Sequence, residues 1–331
     1  MRSARPVFAG QWGLLVGCCL PSLLMGAFCA APARAADRLP SYVRALMRGR
    51  QGAVVVSNPA TGEILAEWNP EMAFQRAFPP GSTAKIVTTA AALESGAISP
   101  HDRIFCRRIP ELLGEPYHCS HPPALAAFTL AEALAYSCNY FFSALSTRLS
   151  PDSLGHEYAV LGFGDATSAG GCASQPFIPD EPAAKARVAI GEGSILVTPA
   201  QLLAVYSMLA MRGVAFPLRH ASGAKDSQVV RRVRLQTTTW EILAEGLEAC
   251  VRSGTGRAAA VPGVRVAGKT GTAVALNTGG ATHAWFVGYA PVESPEVALV
   301  IFLIRGTGAR DAAPLAGRIL RHYFAAKERG H

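Results

Sequence analysis

Ser82 and Lys85 stand three residues apart in the stretch Pro79-Pro80-Gly81-Ser82-Thr83-Ala84-Lys85, directly before the apolar run from Ile86 to Leu93. On a helix that spacing puts both side chains on one face, within reach of each other. A serine hydroxyl is a weak nucleophile until a neighbouring base takes its proton, and a desolvated lysine can be that base. A helix N-terminus adds a positive field where an oxyanion would form. Alone, the pattern fits an ordinary helix start equally well. Three further groups raise its weight, one of them the aromatic run His283-Ala284-Trp285-Phe286-Val287-Gly288-Tyr289-Ala290-Pro291. Ser137-Cys138-Asn139 offers a hydroxyl and an amide at alternate positions. Lys269-Thr270-Gly271-Thr272 follows the strand-like Val264 to Gly268 and sets a cation and hydroxyls beside a glycine, where backbone can approach a ligand.

The elements expected to hold these groups are legible in the punctuation of the chain. Gln51 to Ser57 reads as a buried strand, Asn58 to Gly62 as a turn and Glu63 to Trp68 as its partner. The Ser82 helix should end near Gly96. Ser99 to Pro123 is irregular and rich in Pro, His and Cys. Thr129-Leu130-Ala131-Glu132 is a capping box opening a helix through Ala135, and a second apolar stretch runs from Tyr140 to Leu149. Residues 161–182 read as a Gly-rich loop. Thr198-Pro199-Ala200-Gln201 opens a helix that stops at Gly213, and another runs from Thr239 to Arg252. Strand signals return at Val264 to Val266, Ala284 to Tyr289 and Val297 to Ile304, before a last helix from Pro314 to Lys327. Strands at both ends of a helical middle predict one discontinuous antiparallel sheet flanked by helices, with a helical subdomain inserted: an α/β (α+β) chain.

The 331 residues are 50% hydrophobic and only 16% charged, enough to bury a sizeable core. Of the net charge of +8, three charges (Arg2, Arg5 and Arg34) fall in the first thirty-five residues, and the other basic residues are scattered. That distribution suits an anionic cell-envelope polymer better than nucleic acid. Arg2 and Arg5, the apolar stretch from Trp12 to Ala30 and Ala33-Arg34-Ala35 form a secretory leader pattern, with cleavage expected after Ala35. A retained membrane anchor, or lipidation at Cys18, are the alternatives, and all three place the chain outside the cytoplasm. The expected organisation is a signal peptide at 1–35, a short segment at 36–49 and one domain at 50–331.

Taken together, the three motifs resemble the transpeptidase domain of penicillin-binding proteins, especially the monofunctional class B type, within the superfamily of serine D,D-peptidases and β-lactamases. The resemblance covers roughly residues 50 to 325 and extends to Gly191-Glu192-Gly193 and Ser253-Gly254-Thr255-Gly256. It implies a β-lactamase/D,D-peptidase-like fold and a peptidoglycan D,D-transpeptidase that cross-links stem peptides through a serine acyl-enzyme and is acylated by β-lactams. Residue by residue, it implies Ser82 as nucleophile, Lys85 as general base, Ser137 as proton relay and Asn139 as a hold on the substrate amide. It further implies that Lys269 and Thr270 bind the substrate carboxylate, and that the backbone N–H groups of Ser82 and Thr272 form the oxyanion hole, with Gly271 between them. No cofactor or metal is implied, and the partners would be stem peptides, β-lactam antibiotics and a glycosyltransferase, at the periplasm or the outer face of the inner membrane. Class B members usually carry an N-terminal pedestal and an anchor, which are not evident between Ala35 and the first strand.

A D,D-carboxypeptidase, differing only in acceptor, and a non-catalytic β-lactam sensor fit the same motifs. A β-lactamase fits less well. The class A water-activating pattern E-x-x-x-N is not met at Glu157 or Glu181, and the class D Y-G-N motif is absent. Five cysteines follow the leader: Cys106, Cys119, Cys138, Cys172 and Cys250. In an exported chain Cys106 and Cys119 are expected to close the Ser99 to Pro123 loop as a disulfide, with Cys138 reduced. A zinc site drawing on Asp102, His118, Cys119 and His121 is the alternative.

Overall fold

Five antiparallel strands form the organising sheet, in the order β2-β1-β5-β4-β3: β1 is Gly52–Ser57, β2 Ile64–Trp68, β3 Ala267–Val274, β4 Thr282–Ala290 and β5 Val297–Leu303. The computed structural model describes residues 35–108, 111–113, 115–116, 118–119, 121–164, 176–220, 229–276 and 279–328. The two ends of the chain meet where β1 pairs with β5, Val55 opposite Val300. This is the discontinuous sheet expected from the sequence. Its three inner strands, β1, β5 and β4, are buried on both faces and alternate with period two. Ala53, Val55, Trp285, Val300 and Phe302 face one core. Val54, Val56, Phe286, Leu299 and Ile301 face the other.

Ten α-helices lie among the described residues: α1 (Ala35–Met47), α2 (Pro70–Gln75), α3 (Lys85–Glu94), α4 (Leu130–Tyr136), α5 (Asn139–Ser146), α6 (Pro151–Val160), α7 (Pro182–Ala189), α8 (Pro199–Ala210), α9 (Thr237–Arg252) and α10 (Ala313–Glu328). On one face of the sheet Leu39, Val43 and Met47 of α1 pack with Leu315, Ile319 and Leu320 of α10. On the other face lies α3, buried at every position from Lys85 to Leu93, so it acts as the axis of the helical region. Thr129 caps α4 with both arms of the capping box formed, as its sequence predicts.

The structure departs from the sequence reading in three places. Helices α1, α2, α6 and α7 are not evident in the sequence. Pro40 inside α1 reads as a breaker, and in the other three proline opens the helix at N1 or N2 rather than ending it. The Val264 to Val266 signal precedes the strand instead of forming it, and Lys269 to Thr272 lie within β3 rather than after a strand. The irregular loop after Ser99 holds two short strand pairs, Ile104–Phe105 with Ala127–Phe128 and Glu111–Leu112 with Glu115–Pro116. Much of the expected 161–182 loop, Cys172 included, lies outside the described residues. So does the leader up to residue 34. No helix among the described residues is long and apolar enough to cross a membrane.

Candidate active site

Ser82 enters α3 through a single 3₁₀ turn, Gly81–Ala84, that is held from three sides. Trp285 Nε1 in β4 donates to the Pro79 carbonyl at 3.0 Å, and Tyr206 Oη in α8 donates to the Thr83 carbonyl at 2.9 Å. The Gly81 N–H donates to the Gly191 carbonyl at 2.8 Å. Gly191 has φ +85°, and a Cβ there would stand 1.9 Å from the Gly81 carbonyl oxygen, so only glycine permits the approach. Gly271 in β3 is equally tight, since a Cβ there would meet the Pro80 oxygen at 2.8 Å. These contacts set the Ser82 turn directly against the β3 strand. Ser82 itself is only partly buried. Its hydroxyl makes no hydrogen bond to a described residue.

Lys85, on the first turn of α3, is fully buried and points at the second motif. Its Nζ lies 2.6 Å from Asn139 Oδ1, 2.9 Å from the Ser137 carbonyl and 3.2 Å from Ser137 Oγ, donating to each. Ser137 can present both its oxygens because it ends α4 in the left-handed region, φ 57° and ψ 42°. The ring of Phe142 closes the site from below, 5.3 Å from Nζ. Burial first, and the Lys269 charge second, push the Lys85 pKa down to about 7. An amine with its pKa near neutrality can give up a proton there, exchanging one of its three donated hydrogen bonds for a lone pair.

Lys269 is also fully buried, and its Nζ donates to the Thr270 carbonyl at 3.0 Å. Burial lowers its pKa to about 8. Thr270 Oγ1 is 2.5 Å from Thr255 Oγ1, which anchors the Ser253 to Gly256 segment on β3. Thr272 faces outward and accepts from the Gly308 N–H at 3.0 Å.

All eight site residues read from the sequence therefore gather along the turn, the end of α4 and β3. What sequence reasoning did not identify is the support: Trp285, Tyr206, Thr255 and Gly308. Trp285 and Thr255 lie in segments that the sequence singles out, and nothing local marks Tyr206 or Gly308. The expected Cys106–Cys119 disulfide is not formed. Both residues are free thiols 3.9 Å apart, with Cys138 as a third neighbour 3.8 Å from Cys119. Asp102 accepts from the Ser99 N–H in a turn, and His118 contributes its carbonyl to Asn139 Nδ2 at 3.2 Å. Among the described residues neither falls in the group of side chains close enough to share a metal.

A five-stranded antiparallel sheet with a serine and a buried lysine at the helix mouth, and a second buried lysine on the facing edge strand, defines a β-lactamase/D,D-peptidase-like protein. The chain belongs to the family described as the penicillin binding protein transpeptidase domain, whose model matches residues 52–322. It is 29% identical over 310 residues to Stage V sporulation protein D of Bacillus subtilis, covering 81% of this chain and 48% of that one. It is 26% identical over 349 residues to the peptidoglycan D,D-transpeptidase MrdA of Acinetobacter baumannii, covering 86% and 52%. The chain thus spans about half the length of these relatives. Among solved structures, the D,D-transpeptidase domain of a peptidoglycan glycosyltransferase from Eggerthella lenta superimposes with a TM-score of 0.74 at 25% identity, covering 88% of this chain and 81% of that one.

Proposed function

We propose that this chain is a serine D,D-transpeptidase that cross-links peptidoglycan stem peptides and is acylated by β-lactams. The observation that carries the reading is the convergence of Lys85 Nζ on Ser137 Oγ and Asn139 Oδ1, one turn from Ser82. Lys85 takes the Ser82 proton as Oγ attacks the donor carbonyl. The oxyanion is received by the backbone N–H groups of Ser82 and Thr272. Ser137, bonded to the same amine, passes the proton to the leaving group. Asn139 holds the substrate amide, and Lys269 with Thr270 receives the terminal carboxylate. The acyl-enzyme is then resolved by the amine of a second stem peptide.

Resolution by water would need a base on the exposed side of the ester, and Glu157 and Glu181, the two glutamates weighed for that role, are poorly placed for it. Glu157 is buried near Glu94, the far end of α3, about 14 Å along the helix from Lys85. Glu181 caps α7 through the Ala183 and Ala184 N–H groups. The leader pattern supports export, with the catalytic domain at the periplasm or the outer face of the inner membrane. A solved peptidoglycan synthase complex that coordinates polymerization and crosslinking, with a chain 26% identical to this one at a TM-score of 0.70, supports a glycosyltransferase partner.

The test is to incubate the purified full chain with a pentapeptide donor and a labelled D-amino acid. Transfer of label to the donor, with release of its terminal residue, is expected. Release without transfer would make the chain a carboxypeptidase, and neither would make it a non-catalytic binder.

A further inference from the structure

Three thiols and one imidazole meet beside the active site, and the mechanism uses none of them. The ligand atoms of Cys106, Cys119, His121 and Cys138 all lie within 4.8 Å of one another. Cys106 and Cys138 are buried, His121 is 3% exposed and Cys119 is half-buried. The residues come from separate parts of the chain: Cys106 follows a short strand, Cys119 and His121 lie in the Ser99 to Pro123 loop, and Cys138 is the N-cap of α5.

We propose that Cys106, Cys119, His121 and Cys138 form a Cys₃His site for one zinc ion, and that this site clamps the Ser137-Cys138-Asn139 turn. Four observations carry it. A tetrahedron of sulfurs about 2.3 Å from zinc has edges of about 3.8 Å. The Cys106–Cys119 and Cys119–Cys138 separations are 3.9 and 3.8 Å, each sulfur pair standing as two corners of such a tetrahedron. His121 Nε2 is buried without a hydrogen-bond partner, an expensive state for a ring nitrogen unless something binds it. The other nitrogen, Nδ1, is 3.2 Å from the Pro122 carbonyl, and donation there leaves the lone pair on Nε2, the arrangement typical of metal-bound imidazole. Finally, the Phe141 N–H points at Cys138 Sγ, 3.4 Å away, and the Arg108 guanidinium donates to the His121 carbonyl. Both place positive hydrogen atoms near a site that would carry three thiolates and one dication, a net charge of minus one.

Soft sulfur ligands in a closed four-coordinate shell suit zinc, which also has no redox chemistry of its own. Binding is a substitution: each thiol gives up a proton as its sulfur–zinc bond forms, so loading releases up to three protons per ion. In an exported chain the competing fate of the same thiols is oxidation to a disulfide between two of them, with an external disulfide oxidant reduced in exchange. That would strand the third cysteine and the histidine.

The clamp rests on the roles given above to Ser137 and Asn139. Zinc binding does not, and the test keeps the two apart. The full chain is purified under reducing conditions without chelator and assayed for zinc, then stripped and titrated with cobalt(II). One zinc per chain is expected, with the thiolate charge-transfer and tetrahedral d–d bands of cobalt. Cys119→Ser and His121→Ala, checked for folding by circular dichroism, should each weaken cobalt binding by more than about 100-fold. Absence of zinc and of cobalt bands in the folded wild-type chain would overturn the site, as would a native disulfide within the cluster found by peptide mapping. The clamp predicts that stripping zinc slows acylation by a fluorescent penicillin and that adding it back restores the rate. An unchanged rate would overturn the clamp. Cobalt bands in a chain that is never acylated would uphold the metal site and reject the functional reading instead.

Discussion

Lys85 Nζ and Asn139 Oδ1, fifty-four residues apart in sequence, lie 2.6 Å from each other in the buried floor of the site. The amide holds the amine where it also reaches Ser137, and the two motifs become one hydrogen-bonded unit. If that unit supplies the base, Lys85→Ala should lower the rate of acylation by a fluorescent penicillin by about 10²- to 10⁴-fold. Raising the pH should not rescue it, because serine alone ionises too weakly. Stopped-time labelling read on a gel measures this, and acylation at the wild-type rate would remove Lys85 as the base.

The two lysine shifts predict the shape of the pH profile. Lys85 must be neutral to accept the serine proton, so acylation should rise as pH passes about 7. Lys269 must be charged to hold a carboxylate, so the rate should fall again above about 8. The result is a narrow bell whose limbs belong to the coupled pair. Stability follows a different course. The unfolded chain holds the Lys85 proton up to its ordinary range near 10.5 while the folded chain releases it from about 7. The unfolded state therefore binds more protons in that window, and this lysine's contribution makes stability increase with pH across it. Acylation rates from pH 5 to 10 test the first statement, and denaturant midpoints of wild type against Lys85→Met test the second.

Gly191 and Gly96 make a paired test of how the Ser82 turn is held. Both have positive φ, +85° and +70°, but a Cβ at Gly191 would lie 1.9 Å from the Gly81 oxygen whereas one at Gly96 meets nothing within 4 Å. Gly96→Ala should cost only the backbone term, about 1 kcal/mol, and leave acylation alone. Gly191→Ala should cost about 2–4 kcal/mol and slow acylation at least tenfold, because the turn carrying Ser82 must move. Equal effects of the two substitutions on acylation would show that the contact does not position the nucleophile.

Most of the site was legible because its residues sit where local structure changes. Ser82 follows Pro-Pro-Gly, Ser137 ends a helix with a strong capping box, and Lys269 adjoins the glycines of a strand, but it is the resemblance of the three motifs together to a known family that gives these residues their roles. The strands at the two ends were legible as β-branched runs bounded by turn residues. What remained hidden depends on long-range contact. Trp285 reads as an ordinary core aromatic until its indole is found 3.0 Å from Pro79, across 206 residues. The Cys106–Cys119 spacing suggested a two-residue bridge because sequence separation gave no sign that the loop folds back onto Cys138. Helices opened by proline at N1 or N2, such as α6 and α7, are hard to see in the sequence because each buries only three residues.

The central claim, that Ser82 is acylated and that no water-activating base lies on the other side of the ester, is tested most directly by the intact mass of the chain after benzylpenicillin. One penicilloyl adduct per chain is predicted, mapped by peptide digestion to Ser82, absent from Ser82→Ala, and persisting for many minutes after a chase with excess unlabelled drug. Each tenfold slowing of hydrolysis corresponds to about 1.4 kcal/mol of barrier, so a missing base readily separates minutes from seconds. An adduct on Ser82→Ala, or loss of the wild-type adduct within seconds with steady consumption of the drug, would contradict the account.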